Sequence, residues 1–133
     1  MTAVVLYAAT AAIFLIADAL MLSLVMRPLF ERHLGPELRE NIRIAPAALF
    51  YLAYVAILVW IVTWPALRDE TSLGSVALTA ALMGFFAYGT YEFTSFAVMS
   101  RWHVSMLMTD LAWGTLLTAG SATAGLWIAR LLT

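Results

Sequence analysis

The sequence predicts an all-α, polytopic membrane protein whose four transmembrane helices form a compact bundle, and three observations carry that prediction. The chain has 133 residues, of which 64% are hydrophobic and 11% charged, with a mean hydropathy of +0.93; soluble domains carry roughly 25% charged residues. Its apolar residues gather into four segments, each near or above the ~20 residues that a helix needs to cross ~30 Å of hydrocarbon. None of the four alternates with the period of two that a membrane β-strand requires. A helix, by contrast, satisfies its own backbone hydrogen bonds in lipid.

The segments are Thr2–Met26, Pro46–Trp64, Ser75–Met99 and Val104–Ala129, so residues 1–133 are expected to form a single four-helix transmembrane domain. The first segment is apolar and N-terminal, as a signal peptide is. It has no Lys or Arg ahead of its apolar core, however, and is too long for a signal-peptide core, so it reads as a transmembrane helix.

The connection 27–45 carries Arg27, Arg32, Arg39 and Arg43 with Glu31, Glu37 and Glu40, broken by Gly35-Pro36. Leucines and isoleucines are interspersed, so it is expected to lie at the membrane interface. Pro36 suits a first helical position with Glu37 in the first turn, which makes Pro36–Ile42 a candidate amphipathic turn on the headgroups; a solvated loop fits equally.

The second connection, Pro65 to Gly74, holds Arg68, Asp69 and Glu70. The third is only Ser100-Arg101-Trp102-His103, which makes the last two helices an antiparallel hairpin. Connections one and three share a side and hold five Arg, against Arg68 and Arg130 on the other. The positive-inside rule then places both connections in the cytoplasm and both termini outside. Trp60, Trp64, Trp102 and Trp127 lie near segment ends, as an aromatic belt would.

Composition excludes several functions. Cysteine is absent, which removes disulfides, thiol nucleophiles and cysteine-ligated metals. All seven basic residues are Arg and the net charge is −1, so no basic patch points to nucleic acid. No phosphate loop or dinucleotide fingerprint is present, no positioned His accompanies the hydroxyls, and no cofactor is specified.

What remains is a set of acids in the wrong solvent. Asp18, Glu92 and Asp110 lie inside the first, third and fourth segments. Counted from the cytoplasmic ends, they lie about eight, eight and seven residues deep, or ~10–12 Å below one surface. Tyr51 and Tyr54 of the second segment fall at comparable depth. On the third helix Gly84, Tyr88, Tyr91, Glu92 and Ser95 follow one helical stripe, and on the fourth His103, Leu107, Asp110, Trp113, Gly114, Leu117 and Ser121 form another. Gly114, Thr118, Ser121 and Gly125 permit close helix approach. Asp18 and Arg27, and Glu92 and Arg101, share a nine-residue spacing, a faint sign of a parallel repeat.

A charged carboxylate at mid-membrane costs at least ~2.5 kcal/mol, so three of them need compensation. Protonation with tyrosine or threonine hydrogen bonds, a bound cation, a cationic substrate group or a water-filled opening would each supply it. The competing structural explanation is that the acids are protonated packing elements joining helices. Three carboxylates with a histidine could hold a hard or borderline cation, but no Glu-x-x-His or His-x-x-x-His spacing occurs, so the metal signal is weak. His103 reads as an interfacial loop residue, His33 as solvated, and the methionines as packing residues.

Tyr88-Gly89-Thr90-Tyr91-Glu92-Phe93-Thr94-Ser95, followed by Asp110-Leu111-Ala112-Trp113-Gly114-Thr115, resembles the bacterial family labelled domain of unknown function 2177. The single Asp18, the Phe30 to Leu34-Gly35 passage and Phe50-Tyr51-Leu52-Ala53-Tyr54-Val55 extend the similarity over nearly the whole chain. The resemblance implies a small four-helix protein of the bacterial inner membrane, and it brings no established activity. The chain departs from the family pattern at Glu92, Ser95 and Met21, where aspartate, asparagine and tryptophan are expected.

The residues thus predict a cytoplasm-facing pocket in which Asp18, Glu92 and Asp110, with Tyr51, Tyr54, Tyr88, Tyr91, Ser95 and Trp113, bind an amphiphilic or cationic ligand. Acid–base chemistry on a lipid-like substrate would suit such a pocket. A proton- or cation-coupled small transporter is the alternative, and it carries a homodimer with it because four helices leave little room for a pathway. A structural or accessory subunit, whose partners are membrane lipids and other chains, is the third.

Overall fold

The computed structural model describes residues 2–35 and 44–133. All four segments are helical: α1 (Thr2–Leu34), α2 (Ala45–Asp69), α3 (Leu73–Val98) and α4 (Val104–Leu132), each long and apolar enough to cross a membrane. No strand occurs among the described residues. Large apolar side chains such as Ile16, Leu24, Phe86 and Leu116 remain exposed on the outer faces, where lipid tails would cover them.

Two helices run further than their hydropathy suggests, for the same reason. The sequence places the first helix end at Met26 and the second at Trp64, just before Pro28 and Pro65. In the structure a wide π-turn, Leu22–Met26 in α1 and Val59–Thr63 in α2, precedes each proline. Proline has no N–H to donate to the residue four back, and its ring clashes with that carbonyl. The π-turn absorbs the defect by bonding five back instead, Arg27 N–H to Leu22 O and Trp64 N–H to Val59 O. Arg27–Leu34 is therefore helix and not loop.

At 33 residues, α1 is ~50 Å long, well over the hydrocarbon thickness. Its last two turns carry the Arg27–Glu31 ion pair at 3.1 Å. Gly35, at φ +51°, ends the helix in a conformation that favours glycine. The expected amphipathic turn Pro36–Ile42 lies outside the described residues.

The second connection shrinks to Glu70–Ser72. Glu70 is left-handed at φ 55°, and Ser72 caps α3 by accepting from Ser75 N–H at 3.2 Å. Arg130, at the far end of α4, donates to the carbonyls of Ala66 at 3.2 Å and Thr71 at 2.6 Å. This satisfies carbonyls that a helix end leaves unpaired.

Helix α4 is the central element, with a buried stripe from Met106 through Leu117 and Gly125 to Ala129. Backbones approach closely where glycines permit: a Cβ on Gly84 would lie 2.6 Å from Gly114 O, one on Gly114 would overlap the Tyr88 ring, and one on Gly125 would overlap Thr10. The dry core, including Leu6, Phe14, Leu58, Val76, Leu117 and Leu126, occupies the half of the bundle nearer the chain termini. A smaller cluster of Leu34, Trp102 and Met106, with Leu29 and Phe30 against it, closes the opposite end. Between the two lies the cavity.

Candidate functional site

Helices α1, α2, α3 and α4 enclose a cavity of about 560 Å³. Asp18, Leu22, Met26 and Phe30 of α1 form one wall, Pro46, Ala47, Phe50, Tyr51 and Tyr54 of α2 a second, Ala87, Tyr88 and Tyr91 of α3 a third, and Asp110 enters from α4. Carboxyl and phenol groups mark one end of this space. Aliphatic and aromatic carbon lines the rest.

The α1 wall depends on the π-turn. Asp18, Leu22, Met26 and Phe30 step by four residues, and each such step drifts by about 40° around a regular helix. Phe30 would then point about 120° away from Asp18. The extra residue accommodated at Leu22–Met26 returns most of that drift, so one line of side chains faces the cavity. The α2 wall needs no such device, since its five lining residues already share a face.

Each acid has its own surroundings. Asp18 is half-buried and accepts a hydrogen bond from Trp113 Nε1 at 3.1 Å; the Tyr51 hydroxyl lies within bonding reach of the same carboxylate. Asp110 is also half-buried and is close enough to Asp18 for their charges to interact. Glu92 differs from both: it is 0% exposed and does not line the cavity. It sits behind Asp110, within hydrogen-bonding reach of that carboxyl, and accepts from Trp102 Nε1 at 2.8 Å. Its second oxygen, Oε2, has no partner among the described residues.

The expected α3 stripe thus divides. Gly84, Glu92 and Ser95 are buried, whereas Tyr88 and Tyr91 turn to the cavity. Tyr54 bonds Thr118 at 3.0 Å through the two hydroxyls and packs against Phe14 and Tyr88, with centroids 5.7 and 6.5 Å apart. The buried Tyr88 hydroxyl has no partner among the described residues. Trp113 stands behind the wall as the donor to Asp18. Among the described residues no three acidic or histidine side chains come together closely enough to hold a metal ion.

Several of these residues are invisible to depth counting. Trp102 reads as an interfacial belt residue from its place at a segment end, yet it is 6% exposed. The short connection folds its indole back beneath α3, against Phe30 and Tyr91 with centroids 5.5 Å away in each case. His33 and His103 stack with centroids 4.3 Å apart, and both reach Ser105 Oγ, at 3.2 and 2.8 Å. The apolar wall carries no polar signal at all, although the four-residue steps from Asp18 to Phe30, read together with Pro28, would have located half of it.

Comparison with curated proteins and with solved structures finds no match. A family model does match, over residues 3–127, which covers all three acids and every residue lining the cavity. The chain belongs to the family described as predicted membrane protein, domain of unknown function 2177.

Proposed function

We propose that the cavity binds an amphiphilic organic cation, with its charged group against Asp18 and Asp110 and its apolar part along Leu22, Met26, Phe30 and Phe50. The observation that carries this reading is the composition of the wall: two carboxyls at one end, apolar side chains at the other, and no basic residue among the described residues lining it. An uncompensated acid pair in a low-dielectric space attracts positive charge. Tyr51, Tyr54, Tyr88 and Tyr91 add aromatic faces, each suited to a cation with ~0.5–2 kcal/mol of attraction. The cavity is also large enough for a small-molecule ligand, for which ~300–1,000 Å³ is usual.

The protein is placed in the bacterial inner membrane by this proposal, with both termini outside and the cavity nearer the cytoplasmic surface. The arginine distribution of the sequence supports that orientation. A lipid-like amine would then reach the cavity from the bilayer or from the cytoplasm.

Titration of the nanodisc-embedded protein with tetraphenylphosphonium or a long-chain alkylammonium, followed by calorimetry, tests the reading. Saturable binding is expected, weakened at least tenfold by Asp18→Asn or Asp110→Asn, with an alkyl sulfate of equal length failing to compete. Equal binding of cation and anion, or no effect of either substitution, would refute it.

A further inference from the structure

Glu92 takes no part in lining the cavity, yet it is the most deeply buried acid among the described residues. Its position behind Asp110 carries an inference about what happens when a cation arrives. Glu92 Oε1 is satisfied by the Trp102 N–H at 2.8 Å, whereas Oε2, also buried, has no partner among the described residues. Buried polar atoms without partners are rare in folded proteins and call for an explanation. The Asp110 carboxyl lies within hydrogen-bonding reach of Glu92, and two ionised carboxylates offer each other acceptors and no donor.

A single proton resolves both difficulties. Placed between Glu92 and Asp110 it supplies the missing donor and removes one of two adjacent like charges, an arrangement that paired carboxyls adopt. Among the described residues, the groups facing the pair do not offer a substitute. Asp18 reaches Asp110 from α1 with a further negative charge. Tyr51 of α2 and Tyr91 of α3 are neutral phenols that feel the Asp110 charge. The indole of Trp102 is already engaged, and the charge acting on Glu92 is that of Asp110.

We propose that Glu92 and Asp110 hold one shared proton in the ligand-free protein and release it when a cation binds at Asp110, so that cation binding is a proton exchange. This rests on the cation-binding reading above. The step breaks one O–H bond, and the proton leaves to water through the cavity as the cation takes up its charge. Net charge in the site is conserved, and no other reactant is needed. Glu92 is here a positioning residue: it touches no ligand, and it sets the protonation of the carboxyl that does.

Calorimetric titration with tetraphenylphosphonium at one pH, in two buffers of different ionisation enthalpy, counts the protons released per cation bound. The wild type is expected to release about one proton, with affinity rising by up to about tenfold per pH unit as protons cease to compete. Glu92→Gln, which offers Asp110 a permanent amide donor, is expected to bind the cation with no proton release and no pH dependence. An independent reading uses no variant: the infrared carbonyl stretch of a protonated carboxyl is present in the ligand-free wild type and is lost on adding the cation. Binding without proton release, or without loss of that band, overturns the exchange and leaves cation binding standing. Absence of any cation binding overturns both.

Discussion

Trp102 shows how one side chain joins a buried charge to the cavity wall. Its N–H bonds Glu92 and its ring packs on Phe30, a residue that lines the cavity. Trp102→Phe keeps most of the packing surface and removes the donor, leaving a fully buried carboxyl without any N–H. Loss of such a partner costs about 1–3 kcal/mol, to be read as a lowered midpoint in denaturant titration of the detergent-solubilised protein. In a Glu92→Leu background the same substitution is expected to cost little, because the acceptor is gone. An equal loss in both backgrounds would show that the indole contributes by packing alone. Among the acids, depth was legible in the sequence for all three, since residue counts from a helix end convert directly to distance. Azimuth was not. Whether Glu92 faced the cavity or the α3–α4 seam depended on helix rotation, which Gly84 and Gly114 set by letting the backbones meet.

At the scale of elements, the two prolines decide more than the hydropathy does. Pro28 and Pro65 each stand two residues past a π-turn, and hydropathy alone reads such prolines as helix ends. The apolar runs themselves were legible because a membrane span is a local property, fixed by some twenty consecutive residues. Continuation beyond Met26 and Trp64 was not, because it depends on the backbone exchanging one bonding pattern for another. The π-turn at Leu22–Met26 can be tested through its consequence. Pro28→Leu restores the N–H, and α1 is expected to return to regular α-helix, rotating Phe30 by about 100° relative to Asp18. In the wild-type background a Phe30→Cys, Phe50→Cys pair, placed across the cavity in a chain that has no other cysteine, is expected to be joined by a short bifunctional maleimide. Adding Pro28→Leu should abolish that crosslink and weaken tetraphenylphosphonium binding. Unchanged crosslinking would mean that packing against Trp102, and not the proline, holds the wide turn.

The molecule as a whole is divided along its length. The half nearer the termini is a dry core of aliphatic residues and Phe14, and the other half holds the cavity, the three acids and the aromatic closure around Trp102. This polarity gives the membrane orientation a functional meaning, since the cavity lies toward the end bearing connections one and three. Five Arg lie on those connections against Arg68 and Arg130 on the other, and Arg130 is held against the α2–α3 turn by the carbonyls of Ala66 and Thr71. The positive-inside rule counts such arginines near span ends, so the difference favours a cytoplasmic cavity. Because the natural sequence contains no cysteine, single-cysteine labelling reads this orientation without background. Thr133→Cys, beyond the end of α4, is expected to react with a membrane-impermeant maleimide in intact cells. Ser100→Cys, exposed in the short turn before α4, is expected to react only after the membrane is opened. The reverse pattern would put the acids on the outer side, and any cation taken up by Asp18 and Asp110 would then come from outside the cell.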